Sequence, residues 1–508
     1  MSRRVRLVRR GIPAVLVVLL VAASAGFAVV SLTGSASTRG HTSGDGPKPR
    51  VTTTIPATTV PATTTTTQLP APVWRVAWGA AMAWGYQVAT DVTVRELARI
   101  GIGGRAVRVR ISNAFGNVPL VVASATVALD ASGPSIVAGT LHPLSFGGAP
   151  GVTVPVGGVV TSDPVTMTVH ALQTLAVSLY VPGSDVVTLN PSRPGGPIVS
   201  YGTVNGGGDL VSASASPALK PLYGSWTRWV DSVDVLTARA RGSIVVLGDS
   251  ITAGFHTTLR WTHVLQERIN MLSANDRRAV VNEGISANTL LVLADDDSRV
   301  GGGPAGLTRM AQDVLTQPGV SEMVLFLGTN DLWFGATASQ LIAGMQQAIA
   351  MAHQAGIRVI GVTLLPRGGS VVDGRPWTPT MESYREQVNH WIRTSGAFNG
   401  VLDFAAVVRD AYNGACVPTD MFPPYDSGDH LHPGPAGQTA MADSVDTTIL
   451  GMAPAPTVAL LVPVTATPGC LGPTGVPTPA PPIPPAPPAS AGPSTPASST
   501  PASSTPAS

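Results

Sequence analysis

Charge and cysteine are both scarce in this chain of 508 residues. Charged residues make up 12% and the net charge is only +2, so no basic face exists to neutralise a run of phosphates. That argues against nucleic acid as a partner. The two cysteines, Cys416 and Cys470, allow at most one disulfide. Glycine and proline are plentiful, at 55 and 46 residues, and crowd toward the ends together with Thr, Ser and Ala. The folded part is therefore shorter than the chain, yet still too long for one compact core, and two domains plus tails are expected.

The one concentrated positive cluster, Arg3, Arg4, Arg6, Arg9 and Arg10, precedes the apolar and small-residue stretch Ile12 to Leu32. Residues 1–32 thus read as an export signal. Ala23-Ser24-Ala25 fits a cleavage site. The apolar run continues past it through Phe27, Val29 and Val30, reaching the ~20 residues that span a bilayer. A cleaved signal peptide and an uncleaved anchor contacting the membrane, with its arginines kept cytoplasmic, are both open. Arg3-Arg4 also fits a twin-arginine signal weakly. The expected location is extracellular or in the cell envelope. In an exported chain Cys416 and Cys470 are expected to pair, the alternative being two independent thiols.

Residues 33–72 form a Thr/Pro-rich stretch with too little apolar content to fold, and residues 453–508 a Pro/Ala/Ser/Thr-rich tail. Both suggest reach through a cell wall. Between them, residues 73–238 read as an all-β, sandwich-like domain. Val107, Val109 and Ile111 alternate with Arg108 and Arg110; Val165, Met167 and Val169 alternate with Thr166, Thr168 and His170; and Leu175, Val177, Leu179 and Val181 repeat the period of two. From about residue 239 to 452 the rhythm changes. Short β-rich runs at Ser243–Leu247, Ala279–Asn282, Glu322–Leu327, Arg358–Leu364 and Val401–Phe404 alternate with helical spacing, as in Leu341, Met345 and Ile349 before Gly356, and in Tyr384, Val388, Trp391 and Ile392 before Gly396. This predicts an α/β domain: a parallel sheet with helices on both faces and a ligand site beyond the carboxyl ends of the strands.

Gly248-Asp249-Ser250-Ile251-Thr252-Ala253-Gly254 follows the first of those runs directly, putting a serine hydroxyl where a buried strand opens into a turn. A serine needs a base within hydrogen-bond reach, and the base a carboxylate to orient it. Asp429 and His432, three residues apart, meet that need. With Asn282-Glu283-Gly284 and Gly328-Thr329-Asn330-Asp331 between them, these segments form four ordered blocks. The chain resembles the SGNH/GDSL hydrolase family, which implies a flavodoxin-like three-layer α/β/α fold. The resemblance further implies a catalytic Ser250, Asp429 and His432, and an oxyanion hole from the Ser250 and Gly284 amides and the Asn330 side chain.

Plainer roles exist for each residue. Asp249 and Ser250 suit a helix cap, Asn330 and Asp331 an Asx turn, and Gly284 a turn glycine. Asp429, His430 and His432 suggest a metal cluster, but no further ligands follow at zinc-like spacing. His430 is the rival base. Ser286, in Gly284-Ile285-Ser286-Ala287-Asn288, is the rival nucleophile, though the last glycine of an elbow motif is missing. Ala287 stands where related enzymes commonly have glycine.

Ser112-Asn113-Ala114-Phe115-Gly116, Asn389 to Arg393 and Asp426 to His432 are similar to segments of secreted actinobacterial SGNH enzymes of a xylan-esterase-like branch with an N-terminal β-domain. That implies a cofactor-independent serine esterase removing acetyl or other short acyl groups from a polysaccharide, in contact with the cell wall. Trp74, Trp78, Trp84, Trp226 and Trp229 are candidates for stacking on sugar rings, burial being the commoner fate of tryptophan. The alternatives are a lipase or carboxylesterase, for which Gly301–Gly306 would be a lid, and a non-catalytic glycan-binding wall protein.

Overall fold

A computed structural model describes residues 70–84, 88–186, 199–222, 227–292, 302–409 and 420–457. The proposed signal or anchor, Cys416, Cys470, Trp226, Gly301 and nearly all of the two tails lie outside these residues. No helix among the described residues is long and apolar enough to cross a membrane.

The N-terminal part is built from antiparallel sheets, as the period of two predicts. Strands Val73–Gly79, Val230–Thr237, Val107–Ser112 and Val159–Thr161 form one sheet in that order. A seven-stranded sheet is centred on Val88–Arg99, Thr174–Val186 and Ser124–Ser132. Val107, Val109 and Ile111 of the first meet Leu175, Val177, Leu179 and Val181 of the second in a single core. The expected strand through Val165, Met167 and Val169 is reduced to isolated bridges, Val165 to Val107 and Val169 to Gly104, although Met167 and Val169 are still buried.

Arg110 breaks the simple alternation. It is buried, pairing with Asp231 at 2.8 Å and donating to the Gln312 carbonyl at 3.1 Å. The second face of its sheet is covered by the C-terminal part, so a polar position there needs a partner rather than water. Further ties across this boundary are Val76 N to Pro318 O at 2.9 Å and Ser243 Oγ to Val76 O at 2.6 Å. One apolar cluster runs from Val177 and Val233 to Val245, Val281 and Leu325, and the described residues belong to one compact unit.

The C-terminal part contains a five-stranded parallel sheet. Taken in chain order, its strands are Ser243–Gly248, Ala279–Gly284, Val320–Phe326, Arg358–Val362 and Gly400–Leu402, and they lie side by side as 2-1-3-4-5. That is the flavodoxin-like order. Alternation sorts each strand's side chains between two cores. Val245, Leu247, Met323 and Leu325 pack with Leu341, Met345 and Ile349 of helix Ala338–Gln354 and Val388 and Ile392 of helix Pro379–Thr394. Ile244, Val246, Val324 and Phe326 pack with Trp261, Leu265, Phe404 and Met441 on the other face. A Thr337–Gln340 capping box starts helix Ala338–Gln354, and Gly356 at φ 72° follows it; Thr378 caps helix Pro379–Thr394, and Gly396 at φ 69° follows.

Because one core serves both parts, a cavity made far from the parallel sheet should be felt by the whole unit. Leu175→Ala is expected to cost ~2–5 kcal/mol and to lower a single calorimetric transition. A separate early transition that leaves hydrolysis intact would show that the two parts unfold independently.

Candidate functional site

The first parallel strand is buried at every position and delivers its last residue to a sharp turn. Asp249 caps the one-turn helix Ser250–Ala253 by accepting from Ile251 N at 2.9 Å, and Gly254 at φ 85° ends it. The capping role is thus real for Asp249, while Ser250 is left with its hydroxyl toward a cavity. Burial pushes the Asp249 carboxyl up to about 7, against the pull of the Ile251 amide and Arg367.

Ser250 Oγ lies 2.8 Å from His432 Nε2, and His432 Nδ1 lies 2.6 Å from Asp429 Oδ2. The other Asp429 oxygen accepts from the backbone amides of Leu431 and His432 at 3.0 and 2.8 Å. The three-residue spacing therefore makes an Asx-type turn in which one carboxylate fixes both the backbone and the ring of the histidine. Asp426 supports the loop by accepting from the amides of Gly428, Asp429 and His430. His430 faces away and its Nδ1 sits 3.0 Å from Asp426. The two histidines are thereby distinguished: only His432 reaches the serine.

Burial pushes the His432 imidazolium below the usual histidine range, with Asp429 opposing and His256 and Arg367 adding to the fall. For Asp429, burial acts upward but is outweighed by the hydrogen bonds and charge of His432, leaving its carboxyl well below the ordinary range. The result is a neutral imidazole beside an ionised carboxylate near neutral pH, the protonation state a general base needs.

Asn330 sits in the short helix Thr329–Trp333 after the third strand and donates from Nδ2 to Asn288 O at 2.9 Å. This bond locks the amide and leaves its second N–H for the cavity. Asp331 accepts from Leu290 and Leu291 amides, holding the same neighbouring loop. Neither residue forms the local Asx turn.

Gly284 is not where the resemblance implies. Its amide donates to Asn282 Oδ1 at 3.0 Å, and a Cβ on it would fall 2.5 Å from Ala253 N. The glycine is needed for close packing beneath the serine turn, and the cavity containing Ser250 does not include it. Ala287, three residues on, does line that cavity, at φ 58° in a turn closed by Asn288 N to Ile285 O. Left-handed backbone costs a non-glycine residue roughly 1–2 kcal/mol, and here it turns the chain at the cavity wall. Ser286 also lines the cavity, but its hydroxyl is buried without a hydrogen-bond partner and so has no base to activate it. Among the described residues no group of three or more His, Cys, Asp or Glu is arranged to hold a metal.

The cavity has a volume of about 510 Å³. Its walls are mostly apolar, including Phe255, Trp333, Phe334 and Leu431, with a small hairpin, Val371–Val372 and Arg375–Pro376, at one side. Asp373-Gly374 makes the hairpin turn with both residues at positive φ. Sequence reading missed this hairpin, His256 and Arg367. The Asp-Gly pair was the available signal for the first. None of Trp74, Trp78, Trp84 and Trp229 lines the cavity, and Trp229 is fully buried, which removes it from the sugar-stacking candidates.

Residues 246–440 match the GDSL-like Lipase/Acylhydrolase family. The C-terminal part of the chain is a GDSL-like acylhydrolase domain. No curated protein matches the chain. Among solved structures it is similar to an acetylxylan esterase from Geobacillus stearothermophilus, at 19% identity over 42% of this chain and 96% of that one, with a TM-score of 0.31. It is also similar to a GDSL-like lipase from Bacteroides thetaiotaomicron, at 17% identity over 42% and 89%, with the same TM-score. Assignment of the acylhydrolase domain rests on the family match, not on these likenesses.

The depressed His432 makes a pH prediction for the acylhydrolase. Its kcat/KM should rise with pH as the imidazole loses its proton, with the acid limb centred below the ~6.5 of an unperturbed histidine. A profile on a neutral aryl ester checks this; a limb centred above that value would contradict the burial argument.

Proposed function

We propose that the acylhydrolase domain is a serine esterase working through an acyl-enzyme. The observation that carries this reading is the continuous chain from Ser250 Oγ through His432 to Asp429 at the wall of a cavity of about 510 Å³. Ser250 attacks the ester carbonyl as His432 takes its proton, and the protonated ring then returns the proton to the leaving alcohol. Water repeats both steps on the acyl group and restores the free serine. Asp429 orients the ring throughout.

For the oxyanion, the groups bordering the cavity favour the Ser250 and Ala287 amides and the Asn330 side chain. Neither of those amides is taken up by another protein group among the described residues. In this reading Ala287 takes the part that the sequence resemblance gave to Gly284. Loss of one such donor typically costs ~100 to 1000-fold in rate, and Asn330→Ala is expected to fall in that range in kcat.

As substrate we favour short acyl groups, acetate first, on a polysaccharide, with the enzyme exported or anchored at the cell envelope. The basic-then-apolar N-terminus, the Thr/Pro and Pro/Ala/Ser tails and the branch-like motifs support this. A lipase or carboxylesterase reading has its own support in the apolar walls around Phe255, Trp333, Phe334 and Leu431. A purely glycan-binding role is disfavoured by the ordered Ser250–His432–Asp429 chain.

Residues 70–457 should release acetate from acetylated xylan and cleave short aryl esters in preference to long ones, with Ser250→Ala losing several orders of magnitude in kcat. Preference for long acyl chains would select the lipase reading. Activity unaltered in the variant would remove Ser250 as nucleophile.

A further inference from the structure

Arg367 is among the largest fully buried side chains, at 1% exposure, yet it lines the cavity that contains Ser250 and His432. Its guanidinium lies 4.4 Å from the centre of the Trp377 ring and 5.3 Å from that of Trp333. Nη1 donates to Thr329 Oγ1 at 3.0 Å and Thr329 O at 3.3 Å, and Nε to Ser370 Oγ at 3.3 Å. Among the described residues Nη2 has no acceptor and no carboxylate reaches ion-pair distance; Asp249 and Asp429 act on it only through space. A buried cation without a direct counter-ion is costly, and two aromatic faces offset part of that cost. Packing alone does not require a charge at this position.

We propose that Arg367 is a positioning residue for hydrolysis: it holds the Thr329–Asn330 turn in place and sets a fixed positive charge beside the Ser250–His432–Asp429 chain. This rests on the serine-esterase reading above. The Thr329 bonds anchor the start of the helix that presents the Asn330 amide, so an oxyanion donor is fixed before substrate arrives. The charge favours ionised Asp429 and opposes protonation of His432, keeping the base available at lower pH. Other charged or titratable groups facing His432 are Asp429 on its own turn and His256, whose ring centre lies 5.9 Å away, with Asp373 and Arg375 of the hairpin lining the same cavity.

The test follows the His432 ring by NMR titration, a readout that needs no turnover, together with the pH dependence of aryl-ester hydrolysis. In Arg367→Met the His432 midpoint and the acid limb of kcat/KM should both move to higher pH, and kcat should fall about tenfold or more, less than for direct loss of an oxyanion donor, with KM changed less. Arg367→Lys should keep the midpoint near that of the parent while lowering kcat, because charge survives and the two-pronged hold on Thr329 does not. Thr329→Val should likewise lower kcat without moving the midpoint. Should circular dichroism show Arg367→Met unfolded, Arg367→Gln is the charge-free comparison. A His432 midpoint equal in the charge-free and parent proteins overturns the proposal, as does parent-like kcat in all variants. A shifted ring titration in a protein without esterase activity would instead uphold the electrostatic role and refute the serine-esterase reading.

Discussion

The site depends on the complete burial of strand Ser243–Gly248 in the middle of a parallel sheet. Its alternate side chains enter two different apolar cores, so a slip by one residue would exchange every one of them between faces. That requirement fixes the register, and the register fixes where the chain leaves the sheet. Gly248 pairs with Gly284 on one side and Phe326 on the other, so three consecutive turns open at the same edge. Ser250, Ala287 and Asn330 follow from those turns, and the parallel crossover connections bring them together without any direct bond between the first two.

The same edge is held by buried charges rather than by apolar packing alone. Arg309 donates to Gly248 O and Glu283 O and pairs with Asp313 at 2.7 Å, tying the ends of two strands together. Beside Asp313 in the chain, the Gln312 carbonyl and the Thr316 hydroxyl meet Arg110 of the antiparallel part. Burial, with the nearby Asp313 charge adding to it, drives the Glu283 carboxyl upward against the pull of Arg309. A mesh of this kind loses more from removal of one partner than it contributes as a whole. It also makes the antiparallel part a wall of the acylhydrolase domain, not a passenger joined by a linker.

Much of this was legible in sequence. Alternation in Leu175–Val181 and helical spacing in Leu341–Ile349 led to the right element types, because Leu175, Val177, Leu179 and Val181 share one buried face of a strand and Leu341, Met345 and Ile349 one buried face of a helix. Asp429 and His432 could be picked out as a pair because a carboxylate three residues before a histidine can reach its ring, and Ser250, 182 residues from His432, because it lies just beyond a buried strand. Gly284 was misplaced for a physical reason. A glycine marks close approach of backbone, and here the approach is to Ala253 N rather than to a substrate oxygen, whereas the cavity-lining turn carries an alanine in a conformation that glycine usually supplies. Burial of Arg110 was not legible, because the period of two in one strand does not reveal that a second layer covers its outer face. Arg367 gave no local signal at all, since its meaning lies in contacts with Thr329, Trp333 and Trp377 from separate segments.

The most direct test of the account is covalent capture of the nucleophile. A fluorophosphonate ester transfers its phosphonyl group to an activated serine oxygen, fluoride leaving as the histidine takes the hydroxyl proton. Peptide mass mapping of treated residues 70–457 should find one adduct, on Ser250, formed more slowly as pH falls and His432 becomes protonated. An adduct on Ser286 with Ser250 unmodified would contradict the assignment of the nucleophile and of the base that serves it.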